Sequence, residues 1–132
     1  MTSPYVYIDS SALVKLVVEE TGSASLQADI IERAGLLCSA LGATELIRAC
    51  QRSLTRKQMR RVDDVLDAVF LLDVTPAILS AAATLAPTSL RTLDAIHLAT
   101  ALSIGEPNLD VLTYDTRLAK AAKAHGFAVV AP

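Results

Sequence analysis

The chain has 132 residues, of which 52% are hydrophobic and 20% are charged, and its formal net charge is −2 at pH 7. This length suits one domain over residues 1–132, and the hydrophobic share excludes a disordered chain. The small negative charge provides no global basic field of the kind that attracts nucleic acid.

Short apolar segments alternate with longer amphipathic ones along the chain. The first segment, Tyr5–Ile8, predicts a buried strand, and Ser10 or Ser11 is placed to cap the helix that follows. Further strands are predicted at 36–39, 70–74, 110–114 and 128–130. Helices are predicted at about 23–33, 44–54, 57–69, 76–85, 92–104 and 116–125, with Thr92 capping the helix at 92–104.

Apolar strands separated by helices predict a parallel sheet with helices on both faces. Residues 1–132 contain no Pro/Gly/Ser-rich linker and no internal repeat. We therefore expect a single α/β domain with three layers and a central parallel sheet. Sites in such folds form beyond the carboxyl ends of the strands.

Four acidic residues fall where such a site is expected. Asp9 and Asp115 are predicted to end strands, and Glu45 and Asp94 to lie in the first turns of helices. A cluster of carboxylates is suited to hard divalent cations such as Mg²⁺ or Mn²⁺, which can activate water for phosphodiester hydrolysis. Each residue alone could instead serve as a helix cap or as a charge at a helix start. Their joint placement favours a metal site.

The segments around these residues resemble the PIN-domain ribonucleases, and in particular the VapC toxins of VapBC toxin–antitoxin pairs. The resemblance covers nearly the whole chain and rests on the segments 9–15, 43–45, 93–99 and 112–119 together with Gly126. It implies that Asp9 and Asp94 are the principal metal ligands, that Asp115 supports a second ion or its water, and that Glu45 completes the site. It also implies a hydroxyl contribution from Thr113 near the last carboxylate.

The same resemblance implies an RNA substrate, a Mg²⁺ or Mn²⁺ cofactor, a cognate VapB-like antitoxin, and a homodimer within a larger toxin–antitoxin assembly. An antitoxin segment with a basic side chain is expected to occupy the acidic groove. The apolar stretch at 13–18 is a candidate dimer interface. The RNA sequence that is cleaved, the identity of the antitoxin and the number of metal ions stay open.

Half of the 12 Lys and Arg residues lie within residues 48–61. Arg48, Arg52 and Arg56 recur every four residues, which predicts one helix face that could bind RNA phosphates. The alternative is a solvated face paired with the acidic residues at 63, 64 and 67. Arg91 is a further candidate for steering phosphate toward Asp94. We interpret His97, three residues after Asp94, as a buried core histidine with satisfied hydrogen bonds.

Three other functions are compatible with an acidic pocket. An aspartate-based phosphatase with Asp9 as nucleophile usually needs an acidic residue two positions later, where this chain has Ser11. A phosphoacceptor domain would carry a lysine on a late strand, and none is present there. A protein-binding module without catalytic activity would bind no Mn²⁺ tightly.

Two further expectations concern compartment and thiols. Cys38 and Cys50 lack metal-type spacing and are predicted to be buried thiols. Residues 1–4 lack the pattern that begins a secretory leader, and no apolar run approaches the ~20 residues that cross a bilayer. We expect a soluble cytoplasmic protein without membrane contact.

Overall fold

The structure is a computed structural model, and it describes residues 3–52 and 55–132. The described strands are β1 Tyr5–Ile8, β2 Gly35–Ser39, β3 Val69–Leu72, β4 Asp110–Leu112 and β5 Ala128–Val130. The described helices are α1 Ser10–Val17, α2 Ser23–Ile31, α3 Ala40–Cys50, α4 Arg56–Asp67, α5 Pro76–Ala83, α6 Thr92–Ile104 and α7 Thr116–Ala124.

The five strands form one parallel sheet in the order β3-β2-β1-β4-β5. Strand β1 lies at the centre, and the chain builds outward from it in both directions. The predicted α/β fold with a central parallel sheet is confirmed.

Alternation along the central strand divides the core between the two faces of the sheet. Val6 and Ile8 pack with α1 and its neighbouring helices, whereas Tyr7 packs with α6 and α7. The same division appears in β4, where Leu112 and Val111 belong to opposite sides. Helices thus cover both faces, which makes the three layers that the sequence predicts.

The beginning of α3 differs from the prediction. Ser39 ends β2 and also caps α3, its hydroxyl oxygen accepting a hydrogen bond from the Leu41 backbone N–H at 3.2 Å. The helix therefore starts at Ala40, four residues earlier than predicted. At the other end the helix stops at Cys50, and the predicted end near Leu54 lies outside the described residues.

Three other expectations are tested by the packing. Cys38 and Cys50 are free and buried, as predicted. In the stretch at 13–18, Leu13, Leu16 and Val17 are core residues, so the candidate interface stays a prediction for its half-buried residues alone. No helix within residues 3–52 and 55–132 is long and apolar enough to cross a membrane.

Candidate active site

A cleft of about 360 Å³ opens beyond the carboxyl ends of β1 and β4, where the chain's strand order reverses. It is lined by all four acidic residues that the sequence singled out, Asp9, Glu45, Asp94 and Asp115. They come from the α1, α3, α6 and α7 regions, which are distant in sequence. Four larger depressions lie elsewhere on the part of the surface that the structure describes; one of them is lined by two carboxylates, Glu106 and Asp110, and the other three are lined by none.

Asp9 is the deepest of the four carboxylates, with 4% of its surface exposed. It directly follows β1 and caps α1 in place of the predicted Ser10 or Ser11, its Oδ1 accepting from the Ala12 backbone N–H. Ser11 donates to the same oxygen at 2.6 Å, and Thr113 donates to Oδ2 at 2.7 Å. Burial raises the pKa of Asp9, and these two hydroxyls oppose that rise. The carboxylate is thus held in one orientation.

Asp94 lies in the first turn of α6, as predicted. Burial raises the pKa of its carboxyl above the ordinary value, and the negative charge of Asp115 raises it further. Asp9 and Glu45 add smaller contributions in the same direction. The four carboxylates therefore act on one another electrostatically, and a cation would relieve their repulsion.

Asp115 caps α7 and does not end a strand, because β4 stops three residues earlier at Leu112. Its Oδ1 accepts hydrogen bonds from the backbone N–H groups of Arg117 and Leu118. Its own N–H donates to the Thr113 hydroxyl at 3.0 Å. Thr113 therefore joins the carboxylate after β1 to the backbone that carries the carboxylate after β4.

Glu45 lies in the middle of α3 and not in its first turn, because the helix begins at Ala40. Favourable interaction with the helix dipole therefore does not explain a carboxylate at this position. Its Oε1 lies 2.5 Å from Nε2 of His97, whose other ring nitrogen lies 2.7 Å from the Tyr7 hydroxyl. The prediction of a buried, satisfied histidine is correct, but the contact with Glu45 was not foreseen.

Within residues 3–52 and 55–132, no three acidic, histidine or cysteine side chains stand close enough together to form a ready metal-binding group. Mg²⁺ is commonly held by one or two carboxylates with several waters and substrate phosphates, so such a group is not required. The donors in the cleft are all carboxylate oxygens, which suits Mg²⁺ and Mn²⁺. Burial raises the pKa of both Asp9 and Asp94, and neighbouring carboxylates add to the rise at Asp94, so a cation would stabilise the ionised form of each. On these grounds the residues fit a divalent ion.

The arginine candidates do not share one helix face. Arg48 lies in α3, Arg52 follows the end of that helix, and Arg56 is the first residue of α4. The chain leaves the helix between them, which the four-residue spacing could not show. Arg48 and Arg52 nevertheless line one depression with Ala49, and Ala49 also lines the acidic cleft. Arg91 lines the acidic cleft itself.

Comparison with known proteins identifies the family. The profile of the PIN domain matches residues 6–124. The chain belongs to the PIN-domain family. Among curated relatives, ribonuclease VapC46 of Mycobacterium tuberculosis is 44% identical over 96% of this chain and 97% of its own length. Ribonuclease VapC35 of the same species is 40% identical over 96% of both chains, and VapC47 is 34% identical over 96% of both.

Two solved structures share the fold of this chain. The crystal structure of Mycobacterium tuberculosis VapC20, a toxin that cleaves the sarcin–ricin loop, superposes with a TM-score of 0.74 over 96% of this chain and 99% of its own. PAE2754 from Pyrobaculum aerophilum superposes with a TM-score of 0.64 over 97% of this chain and 83% of its own. At 16% and 23% identity these structures support the PIN fold alone.

Two residues that support the acidic side chains of this PIN-domain site were not predicted in that role from the sequence. Tyr7 reads as an ordinary core residue of β1, yet its hydroxyl contacts the histidine beside Glu45. Ser11 is predicted from the sequence only as a helix cap, and in the structure it both donates to Asp9 and accepts from the Tyr114 N–H at 3.0 Å. A hydroxyl two residues after Asp9 is the one sequence signal for the latter.

Proposed function

We propose that this chain is a divalent-metal-dependent endoribonuclease, the toxin of a VapBC-type pair, and that residues 1–132 form one PIN domain. Membership of the VapC branch of the PIN family supports ribonuclease activity. The observation that carries the proposal is the convergence of Asp9, Glu45, Asp94 and Asp115 on one cleft. Residues far apart in the chain have little structural reason to gather four negative charges there.

Asp9, Asp94 and Asp115 are the proposed ligands of Mg²⁺ or Mn²⁺, and Glu45 is the proposed partner of the attacking water. When bound, such an ion supplies the positive charge that polarises a phosphoryl oxygen and favours ionised water. Asp9 contributes a carboxylate whose orientation is fixed by hydroxyls on both oxygens. Asp115 would offer its Oδ2 to the ion, since its Oδ1 accepts from two backbone N–H groups at the start of α7.

RNA is proposed to reach the cleft over the depression that Arg48 and Arg52 line. This depression adjoins the acidic cleft at Ala49, so a phosphate bound there would lie beside the cleft that holds the carboxylates. Arg91, on the rim of the acidic cleft, is placed to meet the phosphate to be cleaved. Arg56 is a weaker candidate for RNA binding, because it is the first residue of the next helix and does not line this depression.

The proposed partners are an RNA substrate, a VapB-like antitoxin and a second copy of the chain. VapC relatives make the first two the natural expectation, and a cytoplasmic site of action follows from an RNA target. An antitoxin segment that places a basic side chain among the four carboxylates would replace the metal ion electrostatically. A partner peptide that leaves Asp9 and Asp94 free to bind metal would contradict this mode of inhibition.

The proposal is tested with purified chain, a mixed RNA substrate, and Mn²⁺ or Mg²⁺. We expect metal-dependent cleavage that falls by at least about 100-fold in Asp94→Asn, because even loss of a residue that supports a ligand costs about 10–100-fold. Asp63→Asn is the matched control, since this exposed carboxylate lies on α4, away from the cleft.

Two outcomes of this assay would overturn the proposal. One is cleavage that is equally fast in Asp94→Asn. The other is hydrolysis of a small phosphomonoester with no cleavage of RNA, which would favour the aspartate-based phosphatase. The hydroxyl at Ser11 already argues against that enzyme, because both its proton and its oxygen are used within the structure.

A further inference from the structure

His97 connects three elements of the fold at the floor of the acidic cleft. Its side chain is 2% exposed, and it lies one turn after Asp94 on α6. Nδ1 lies 2.7 Å from the hydroxyl of Tyr7 on β1, and Nε2 lies 2.5 Å from Oε1 of Glu45 on α3. The Tyr7 and His97 rings meet edge to face, with centroids 5.9 Å apart. Both ring nitrogens are therefore occupied by protein partners.

The protons along this chain of contacts can be assigned by counting donors and acceptors. The backbone N–H of Ser39 donates to the Tyr7 hydroxyl oxygen at 3.1 Å. Among the described residues, the only acceptor in reach of the Tyr7 O–H is then Nδ1 of His97. Nδ1 must consequently be unprotonated, which leaves the proton on Nε2, where it is donated to Glu45. An imidazolium would leave the buried Tyr7 proton without an acceptor.

This assignment fixes what each residue can do. The Tyr7 hydroxyl is buried, and a phenol is protonated at neutral pH, so it remains a hydrogen-bond donor. His97 has no free nitrogen with which to bind a metal ion or to accept a proton from water. Glu45 is different, because 23% of its side chain is exposed to the cleft and only Oε1 is bonded among the described residues.

We propose that Tyr7 and His97 are positioning residues that hold Glu45 by Oε1 and leave Oε2 as its one oxygen available to the reaction. Glutamate in mid-helix would otherwise sample several rotamers, and the buried pair restricts it to one. This inference rests on the proposed ribonuclease function, because it assigns two supporting residues to the same site. It differs from a purely structural role in predicting that both residues act through Glu45.

A double-mutant cycle between His97 and Glu45 tests that dependence. We expect His97→Leu to lower kcat by about 10–100-fold with KM for RNA changed less than about twofold. In the Glu45→Gln background, the same substitution should lower kcat by a further factor of less than about two. His97→Gln, which keeps an N–H donor, should retain more activity than His97→Leu. Losses that multiply independently in the double variant would overturn the proposal.

Two variants separate positioning from folding. Tyr7→Phe keeps the buried ring and removes only the hydroxyl, so we expect a folded protein with kcat lowered by about 3–30-fold. His125→Gln is the matched control, because the other histidine of the chain ends α7 and bonds the Ala86 carbonyl outside the cleft. Its kcat should equal that of the wild type. An unchanged kcat in Tyr7→Phe would remove Tyr7 from the assignment.

The tautomer of His97 provides a second test of the proposal, and its measurement needs neither metal nor RNA. In ¹⁵N-histidine-labelled, metal-free protein we expect His97 as the neutral Nε2–H form, assigned by its disappearance in His97→Gln. Tyr7→Phe should increase the Nδ1–H form. A predominant Nδ1–H form or imidazolium at neutral pH in the wild type would overturn the proton assignment. A wild type that cleaves no RNA would instead overturn the proposed function, whatever the tautomer.

Discussion

Thr113 donates a hydrogen bond of 2.7 Å to Oδ2 of Asp9 across 104 residues of sequence. The same hydroxyl accepts the backbone N–H of Asp115, so a single side chain links the carboxylates that follow β1 and β4. The geometry of the cleft therefore depends on hydroxyl groups as much as on the acidic residues themselves.

Thr113→Val tests this link, because it preserves shape and removes the hydroxyl. We expect the free energy of unfolding at pH 7 to fall by about 1.5–3 kcal/mol, the usual contribution of a hydrogen bond to a charged group. The loss should shrink at low pH, where Asp9 is protonated in both proteins. Urea unfolding measures it, and Thr113→Ser, which keeps the hydroxyl, should lose much less. Equal losses in the two variants would contradict the expectation.

The metal-free protein should become less stable as pH rises above the ordinary carboxyl range. The pKa values of Asp9 and Asp94 are raised in the folded state, so folding retains protons that the unfolded chain has lost above its own value of about 4. The unfolded state then binds fewer protons, and the free energy of unfolding falls until pH passes the folded values.

Asp94→Asn should flatten that dependence and be at least as stable as the wild type at pH 7 in EDTA. Urea unfolding between pH 4 and pH 7 measures the slopes, with Asp63→Asn expected to follow the wild type. A large loss of stability in Asp94→Asn at pH 7 would mark Asp94 as a structural residue.

Gly42 makes room in α3 for the Cys38 thiol, since a Cβ at this position would meet Sγ at a clashing distance. Overpacking typically costs about 1–3 kcal/mol, while replacing a helical glycine with alanine returns about 1 kcal/mol. We expect Gly42→Ala to destabilise the protein, and to do so less in a Cys38→Ala background, where the thiol is absent. Thermal unfolding of the four proteins measures the coupling. Equal costs in both backgrounds would show that the helix accommodates the methyl group without this clash.

Charge reversal in the basic depression should weaken RNA binding. In a cleavage-deficient Asp94→Asn background, we expect Arg48→Glu and Arg52→Glu each to reduce affinity by about tenfold and to lower the salt slope by about 1. Arg56→Glu should have a smaller effect. Fluorescence anisotropy at several salt concentrations provides the measurement, with Lys123→Glu, on the last turn of α7, as the control. Unchanged affinity and slope would show that these arginines belong to a solvated surface that does not bind RNA.

The strands were predictable because apolar runs as short as Tyr5–Ile8 are too short for a helix and are typical of buried strands in a parallel sheet. The points where one strand or helix passes into the next were not predictable. Ser39 both ends β2 and caps α3, so no loop separates them and Glu45 falls in mid-helix. Gly35 is the first residue of β2, where the Tyr5 ring lies against it.

Asp9, Asp94 and Asp115 were predictable from their places directly after a strand or at the start of a helix, whereas Glu45 lies in mid-helix and was indicated by the family resemblance. The supporting contacts were not, because hydrogen bonds such as Tyr7 to His97 join residues 90 positions apart and leave no periodic pattern. The arginine spacing failed for a related reason, since a four-residue repeat implies one face only if the helix is continuous. Here α3 ends at Cys50, between Arg48 and Arg52.

The most direct measurement of the central claim is calorimetric titration of Mn²⁺ into the metal-free protein. We predict binding by the wild type and by Asp63→Asn, and its loss in Asp9→Asn and Asp94→Asn while all four remain folded. Absence of binding by the wild type, or equal binding by all four proteins, would contradict a metal site built from these carboxylates.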